Sequence, residues 1–528
     1  MSDDRTWGVL ASQSDEDALR DNITTAADQF HADVASREIH WQNPSSGAWL
    51  ARGSDDNWLG WDSHGENALL EGDAWTPWSS VLDQSAAPYY RWFTGGQTNA
   101  CFNLVDRHLL QGRANKTAII FEGDRWDPSK NDGRGGPVTE QHFSYRVLFQ
   151  EVVARMQVLK DLGLVTGDRI AFNLPNIPEQ IFYMLAAQRM GVVYTPVFGG
   201  FSAKTLSDRI HDAGAKLVIT ADGGYRNAEV VAYKGTYADP ALDNYIPRET
   251  ALETLKAVLA TYDLGDLADT LYSDVSEALA GEITLERSDV MRELGASLAR
   301  QNAIAAELTA ELRTAVARQL ADAKHNVENV IVVEYTGQEI VEHSRDKWSN
   351  DLVDAAKATI AGHLGLSSFD DLAADSATDV WSKLNAVLPV VSVDSNFPLF
   401  IIYTSGSTGK PKGVVHTHGS WLSGVSHTMR TVFNATEDDT LYVIGDPGWI
   451  TGQSYLIAAP LVQGMTTVIA EGSPLFPHAG RFSSIIERYK VTLFKAGSTF
   501  LKAVMTDPAS AREMADFDMS TLRVGTFC

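Results

Sequence analysis

The sequence predicts an α/β fold in which doubly wound parallel sheets are flanked by helices and carry a helical insertion. From about residue 144 to 220, short apolar stretches of strand length alternate with stretches of helical periodicity. Between about 240 and 326 the strand signals disappear and helical patterns take over. A βαβα order favours parallel pairing, because each parallel connection needs a crossover that is usually a helix.

The alternation begins with a predicted helix in YRVLFQEVVARMQVLKDLGL, which Gly163 and Gly167 end. A strand follows in DRIAFNLPN and stops at Pro175. A helix is then predicted in IFYMLAAQRMG, a strand in VVYTPVF, a helix in TLSDRIHDAGA and a strand in KLVIT. Parallel sheets bind ligands beyond the carboxyl ends of their strands, so function is expected in the loops that follow these strands.

Two segments depart from this pattern. Residues 1 to 90 are rich in Asp, Ser, Gly and Trp, which predicts an irregular leader packed on a large domain of residues 91 to 528. Within that domain, residues 240 to 326 are interpreted as an inserted helical hairpin, with a docking surface for another domain as the alternative. The clearest helical pattern there is an apolar residue at every fourth position, at Ile304, Leu308, Leu312, Val316 and Leu320.

Composition narrows the classes of partner. With 43 Lys and Arg against 68 Asp and Glu in 528 residues, the net charge is −25, which disfavours nucleic acid and anionic membranes. Cys101 and Cys528 are too few for a disulfide framework and lack metal-ligand spacing, so we expect no metal site and a reducing, cytoplasmic setting. The sequence indicates neither an export signal nor a membrane span. Formation of a homo-oligomer is left open.

The strongest chemical signal is the string YTSGSTGKPKG, from Tyr403 to Gly413. Glycines let backbone amides approach a polyphosphate, hydroxyl groups donate hydrogen bonds, and lysines neutralise charge. The spacing differs from the Walker loop, and a flexible glycine-rich linker is the alternative. The predicted ATP phosphate-binding residues are Thr404, Ser405, Gly406, Ser407, Thr408, Gly409, Lys410 and Lys412.

This string resembles the signature of the adenylate-forming superfamily. Three further segments are similar to the AMP-forming acetyl- and propionyl-CoA synthetase family: WFTGGQTNACFNLVDRH, FGGFSAKTLSDRI and ITADGGYR. The resemblance implies the fold of the large N-terminal domain of these enzymes. It also implies ATP, Mg²⁺ and coenzyme A as substrates or ligands, with Thr408 and Lys412 as the catalytic residues and no metal-binding residue assigned to the chain.

The same resemblance assigns a coenzyme A site to Gly224, Tyr225, Arg226 and Asn227. A guanidinium group binds phosphate through two parallel hydrogen bonds, which suits Arg226 to this role. The family often has a second arginine three residues later, where this chain has Glu229. We therefore expect an altered coenzyme A contact.

A second string, GDPGWITGQSYLIAAPL, resembles the acyl-pocket segment of the family. By this resemblance Trp449 forms a flat wall, Ile450 limits chain length, and Thr451 lies near the coenzyme A path as well as the acyl pocket. Cys528 aligns with another pocket residue. Leu475 stands where acetate-activating relatives commonly carry Asn, which weakens the case for acetate.

The implied chemistry has two steps, adenylation of a short carboxylate by ATP and transfer of the acyl group to coenzyme A. The family's adenine and ribose motifs and its mobile C-terminal domain, which follow such a domain, do not occur in these 528 residues. The chain by itself is therefore expected to turn over little or not at all.

The leader, the insertion and the changed coenzyme A contacts resemble the ligase portion of the fused propionyl-CoA synthase family. That resemblance implies further domains of the same polypeptide, an enoyl-CoA hydratase and a reductase that binds NADPH, with 3-hydroxypropionate as the acid. A stand-alone acetyl- or propionyl-CoA synthetase is one alternative. A non-catalytic nucleotide-binding scaffold is an alternative of another class.

Overall fold

The computed structural model describes residues 12–301, 304–323, 327–404, 411–506 and 508–527, without the side chains of 508–511. Within these residues the strands are β1 (Trp41–Gln42), β2 (Trp49–Arg52), β3 (Trp58–Trp61), β4 (Asn67–Leu70), β5 (Ser80–Asp83), β6 (Arg91–Thr94), β7 (Gln97–Thr98), β8 (Thr117–Glu122), β9 (Trp126–Asp127), β10 (Gly136–Pro137), β11 (Glu140–Ser144), β12 (Arg169–Asn173), β13 (Val193–Pro196), β14 (Leu217–Ala221), β15 (Gly224–Arg226), β16 (Glu229–Val231), β17 (Tyr245–Pro247), β18 (Thr284–Glu286), β19 (Asn329–Val333), β20 (Asp346–Trp348), β21 (Val393–Asp394), β22 (Pro398–Thr404), β23 (Lys412–Thr417), β24 (Thr440–Ile444), β25 (Thr466–Ala470), β26 (Leu493–Ala496) and β27 (Val524–Phe527).

The same residues form helices of four to 17 residues. They are α1 (Gln13–Thr25), α2 (Ala27–Glu38), α3 (Arg107–Leu110), α4 (Tyr145–Asp161), α5 (Pro178–Met190), α6 (Ala203–Asp212), α7 (Asp239–Asp243), α8 (Arg248–Leu259), α9 (Asp266–Ala278), α10 (Arg287–Arg300), α11 (Ala306–Asp322), α12 (Ser349–Leu364), α13 (Ala377–Val387), α14 (His418–Thr431), α15 (Ala459–Val462), α16 (Arg481–Tyr489), α17 (Ser498–Met505) and α18 (Pro508–Ala515). None of them is long and apolar enough to span a bilayer.

Two large sheets form the body of the molecule. One has six strands in the order β11-β8-β25-β24-β26-β27, and the other has seven in the order β20-β19-β14-β12-β13-β22-β23. All neighbours pair in parallel except β11 with β8 and β22 with β23, which lie at sheet edges. The predicted fold class, parallel sheets flanked by helices, is confirmed.

The helices between strands begin and end at residues that cap helices. Ser144 caps α4 by accepting a hydrogen bond from the backbone N–H of Val147, and Ser202 caps α6 in the same way. Gly191 ends α5 in the left-handed conformation, with φ of 68°, which glycine adopts without steric strain. Both α4 and α5 contribute many fully buried apolar side chains to the main core, which also includes residues of both large sheets.

The leader contains regular structure, where the sequence predicts an irregular segment. Helices α1 and α2 precede a four-stranded antiparallel sheet, β1-β2-β3-β4. Its tryptophans Trp41, Trp49, Trp58 and Trp61 are buried in the main core. Strands of two to four residues are too short to show a period of two in the sequence, so this sheet left no pattern to detect.

The insertion has a hydrophobic core of its own. Helices α8, α9, α10 and α11 pack around aliphatic side chains, and the apolar pattern lies on α11, where Leu312, Val316 and Leu320 are fully buried. Ile304 precedes that helix. A small two-stranded antiparallel sheet, β17 with β18, adds strands to a segment that the sequence predicts as helical.

Candidate functional site

One cleft gathers the ends of parallel strands from both large sheets. It has a volume of about 540 Å³, and most of its lining lies at the ends of β12 and β13 of the seven-stranded sheet and of β24, β25 and β26 of the other. The rest comes from the β15–β16 hairpin, which follows β14, and from the residues after that hairpin. The lining residues are Pro175, Asn176, Phe198, Gly199, Gly200, Gly224, Tyr225, Arg226, Val231, Tyr233, Tyr237, Ile444, Gly445, Asp446, Trp449, Glu471, Gly472, Gly497, Thr499 and Phe500. Ligand sites in open parallel sheets lie at such carboxyl ends, so this cleft is the candidate site.

The predicted coenzyme A segment is a tight hairpin at the rim of the cleft. Strands β15 and β16 pair antiparallel across a two-residue turn, in which Asn227 and Ala228 have φ of 54° and 61°. Positive φ at both central positions is the mark of a type I′ turn. Gly224, Tyr225 and Arg226 line the cleft, whereas Asn227 at the turn does not.

Two buried carboxylates fix this hairpin by accepting hydrogen bonds from its backbone. Oε1 of Glu471 accepts a hydrogen bond of 2.7 Å from the backbone N–H of Tyr225, and its Oε2 accepts one of 2.6 Å from the hydroxyl of Tyr335. Oδ2 of Asp124 accepts one of 2.7 Å from the N–H of Ala228. The hairpin is thereby fixed at both of its ends, which preorganises it for a ligand.

Two carboxyl groups of the lining have a raised pKa. Burial raises the pKa of Glu471 to about 7, and burial raises the pKa of Asp446 to about 7 as well. Part of the Asp446 surface still faces the cleft, where one carboxylate oxygen accepts the Gly448 N–H at 2.7 Å. Asp446 and Glu471 therefore bring less negative charge to the cleft near neutral pH than two fully ionised carboxylates would.

The predicted acyl wall, Trp449, belongs to the same lining and is 48% exposed. Its ring centroid lies 5.9 Å from that of Phe198 and 5.7 Å from that of Phe201. Ile450 and Thr451 begin the helical segment after Trp449 and do not contribute to the lining. Cys528 lies outside the described residues.

The predicted phosphate loop joins β22 to the edge strand β23. Thr404 ends β22, Lys412 begins β23, and the two residues are paired across the ladder. Both are exposed. Ser405, Gly406, Ser407, Thr408, Gly409 and Lys410 lie outside the described residues.

Comparisons with known proteins identify the family of the chain. A family model described as AMP-binding enzyme matches residues 107–337 and 283–528. The chain belongs to the AMP-binding enzyme family. A second model, acetyl-coenzyme A synthetase N-terminus, matches residues 61–104 of the leader.

Curated relatives of this AMP-binding enzyme carry the name acetyl-coenzyme A synthetase. The chain is 35% identical to the one from Methylobacillus flagellatus over 450 residues, which cover 85% of this chain and 50% of the relative. It is 32% identical to that of Pyrobaculum aerophilum over 464 residues (88% and 53%), and 30% identical to that of Mycolicibacterium smegmatis over 510 residues (95% and 41%). The chain thus spans about half the length of the curated relatives it matches.

In this AMP-binding enzyme, Arg209 links the strand before the predicted phosphate loop to the predicted acyl wall, a contact that the sequence did not reveal. Its guanidinium lies 4.3 Å from the ring centroid of Phe201 and 5.5 Å from that of Tyr403. Phe201 in turn contacts Trp449. Burial lowers the pKa of Arg209 to about 10, which still leaves the side chain charged at neutral pH.

Two histidines after the phosphate loop have structural surroundings. Nδ1 of His418 accepts a hydrogen bond of 3.0 Å from the N–H of Ala100, and burial lowers the pKa of His418 to about 3. His416 stacks on Phe400 with ring centroids 4.6 Å apart. These contacts leave both rings neutral at pH 7 and suit packing better than proton transfer.

Within the described ranges, Asp239, Asp243 and His343 form the group whose potential metal-ligand atoms lie within 4.8 Å of one another. Lys234 pairs with Asp239 at 2.8 Å, and Arg345 pairs with Asp243 at 2.7 Å. Cations of the protein thus already neutralise these carboxylates, so the group fits an ion-pair network better than a metal centre.

Proposed function

We propose that the chain supplies the nucleotide and coenzyme A surfaces of an AMP-forming acid–CoA ligase that activates a short carboxylic acid. The observation that carries the proposal is that one cleft, at the carboxyl ends of both parallel sheets, is lined by both Arg226 and Trp449. Membership of the AMP-binding enzyme family and the names of the relatives support it. The chain covers about half the length of the relatives, so the complete activity is part of the proposal.

The proposed reaction needs no protein nucleophile. A carboxylate is ionised at pH 7 and attacks the α-phosphate of ATP, which gives an acyl-adenylate and pyrophosphate. The thiol of coenzyme A then displaces AMP. The protein's task is alignment and neutralisation of phosphate charge, which we assign to Thr404, Lys412 and the segment between them, with Thr408 and Lys412 as catalytic residues. Mg²⁺ would enter with ATP and shield the phosphates.

The acid is proposed to be small because the aromatic group of Phe198, Phe201 and Trp449 borders the acyl side of the cleft. The names of the relatives favour acetate. Asp446 provides a carboxyl group beside Trp449 in the same lining, and this favours an assay of 3-hydroxypropionate, whose hydroxyl can donate to it. Propionate is the comparison that lacks the hydroxyl.

A fused protein with hydratase and NADPH-dependent reductase domains is a further proposal, to which the relatives named above lend no support. What supports it is the insertion, a unit with its own core on the surface of the ligase. In that arrangement NADPH would bind a reductase outside this chain. Extension of the sequence past Cys528 tests it directly.

The phosphate assignment is tested by equilibrium binding of a nonhydrolysable ATP analogue. Lys412→Ala should weaken binding at least tenfold, because it removes a charge-assisted contact. Lys256→Ala, in the insertion, removes the same charge elsewhere and should change the affinity less than twofold. Equal affinities for all three proteins would remove the phosphate role from Lys412.

Turnover is tested by ATP–pyrophosphate exchange with acetate, propionate and 3-hydroxypropionate. We expect little exchange from residues 1 to 528 alone, and acid-dependent exchange from the natural polypeptide that contains them. Full exchange from the 528 residues would show that the family's remaining motifs are dispensable. Nucleotide binding without exchange in either protein would favour the non-catalytic scaffold.

A further inference from the structure

Two exposed arginines belong to or contact the hairpin that carries Tyr225. Arg226 follows Tyr225 on β15, and Arg125 lies about 100 residues earlier in the chain. The guanidinium carbon of Arg125 sits 4.5 Å from the centroid of the Tyr225 ring. Among the described residues neither arginine forms an ion pair, although the chain carries a net charge of −25.

The placement of Arg125 is built into the fold. Its neighbour Asp124 is fully buried and accepts a hydrogen bond of 2.7 Å from the N–H of Ala228 at the hairpin turn. The N–H of Asp124 donates to Glu471, which also accepts from Tyr225. Asp124 and Glu471 thus join the backbone of residue 125 to both ends of the hairpin, so Arg125 and Tyr225 keep their relative positions.

The charge pattern around the hairpin is unusual for a site that receives phosphate. Glu229 is the cross-strand partner of Arg226, and its carboxylate is exposed at the place where the family resemblance implies a second arginine. A carboxylate there repels a phosphate group. Arg125 brings a second positive charge to the same hairpin from a different part of the chain.

We infer that Arg125, stacked on Tyr225, acts with Arg226 to bind the phosphomonoester on the ribose of coenzyme A. The inference rests on the proposed function, since it takes coenzyme A as the ligand of this hairpin. A guanidinium that stacks on an aromatic ring keeps its N–H groups free at its edge, where they can bind a phosphate in the fork geometry. Arg125 is a specificity-determining residue in this view, because it distinguishes ligands with the phosphomonoester from those without it.

The test compares coenzyme A with dephospho-coenzyme A, which lacks only that phosphate group. Affinities of residues 1 to 528 are measured by titration calorimetry for the unmodified protein and for Arg125→Gln. We expect Arg125→Gln to weaken coenzyme A about tenfold and to change dephospho-coenzyme A less than twofold. Arg226→Gln should show the same selectivity, whereas glutamine at both positions should leave the two ligands equally weak.

Arg134→Gln is the matched control. Arg134 also stacks on an aromatic ring, that of Phe517 at 4.8 Å, and it pairs with Glu487 at 3.0 Å, so its contacts lie outside the hairpin. It removes the same charge and one cation–π contact, so both ligands should bind as before. The substituted side chains are exposed to solvent, so each variant is expected to keep the melting temperature of the unmodified protein. An unchanged melting temperature identifies a variant as folded.

The outcomes separate the two hypotheses. Equal losses for both ligands in Arg125→Gln, or no loss, would overturn the role of Arg125 and leave the proposed coenzyme A site in place. If the unmodified protein preferred neither ligand but bound both, the phosphomonoester would not be recognised and the inference would fail. Absence of any binding of coenzyme A to the unmodified chain would instead refute the coenzyme A site itself.

Discussion

The α/β body and the helical insertion are stabilised in different ways. In the body, charged side chains are fully buried in pairs: Arg481 with Glu122, and Arg189 with Asp106. In the described part of the insertion, residues 239–301 and 304–323, no charged side chain is buried and the core is aliphatic. Apolar burial has no directional requirement, whereas a hydrogen-bonded ion pair fixes the angle between segments. The difference indicates that directional contacts occur where loops must be held for function.

The buried pair at Arg481 gives the largest expected effect. Its guanidinium contacts Glu122 at 3.1 Å and donates to the carbonyls of Glu471 and Gly123. Arg481→Ala removes the fully buried one of the two arginines that pair with Glu122, which should cost about 3–5 kcal/mol of unfolding free energy. Because Glu471 anchors the coenzyme A hairpin, coenzyme A affinity should fall as well.

Denaturant unfolding and calorimetry measure the two effects. Arg488→Ala is the matched control, since Arg488 pairs with the other oxygen of Glu122 at 2.8 Å but is 20% exposed. It should cost less than half as much and leave coenzyme A affinity unchanged. Similar costs for both arginines would contradict the view that full burial makes the contact at Arg481 decisive.

A core mutation in the insertion should destabilise that unit without disturbing the cleft. Leu294 on α10 is fully buried, so Leu294→Ala should cost about 2–4 kcal/mol through lost burial and a residual cavity. Proteolysis of the insertion should become faster, while coenzyme A affinity stays within twofold of the unmodified value. Arg292→Ala, an exposed position on the same helix, is the control. A parallel loss of coenzyme A binding would show that insertion and cleft are coupled.

The sequence predicted the body better than its connections. Strand and helix alternation was detectable because buried apolar runs are bounded by residues with local signals, such as Ser144 before α4 and Gly191 after α5. The hairpin of β15 and β16 gave no such signal. Its turn is Asn227–Ala228, and alanine is rarely found at positive φ, so the sequence lacked the Asn-Gly pair that marks this turn.

The sequence pointed to the segments that line the cleft, but it did not predict the contacts between distant residues. Arg226 and Trp449 were identified from strings of residues, and the structure brings both into one cleft. Arg125 and Arg209 were missed because their partners, Tyr225 and Phe201, are defined by folding rather than by local spacing. The same is true of Glu471, whose role depends on a hydrogen bond to a residue 246 positions away.

A smaller effect concerns the raised pKa of Asp446, a feature of the cleft with no counterpart among the buried groups of the insertion that the structure describes. Below about pH 4 the carboxyl is protonated in both folded and unfolded chains. Between pH 4 and 7 the unfolded chain releases the proton while the folded state, with a pKa of about 7, retains it, so stability declines as pH rises. Asp446→Asn keeps the acceptor for Gly448 and stays neutral. It should match the unmodified protein at pH 4 and exceed it by roughly 1–3 kcal/mol at pH 8.

The measurement is the difference in unfolding free energy between variant and unmodified protein at pH 4 to 8. Asp518→Asn provides the control, because hydrogen bonds from Ser520 lower the pKa of that exposed carboxyl and its removal brings no gain at high pH. A difference that is constant with pH would show that Asp446 is ionised in the folded protein.

The smallest effect concerns backbone strain, which also differs between the two regions. The turn of the coenzyme A hairpin places Ala228 at φ of 61°, whereas in the described residues of the insertion only glycines have positive φ. Ala228→Gly removes a steric cost of about 1–2 kcal/mol, partly offset by the greater freedom of glycine in the unfolded chain, so a net gain of about 0.5–1 kcal/mol is expected. Gly265→Ala, at φ of 51° in the insertion, should have the opposite sign and a loss of about 1 kcal/mol. A loss of stability in Ala228→Gly would contradict this expectation. It would show that the hydrogen bond from the N–H of residue 228 to Asp124 needs the restricted backbone of alanine at this turn.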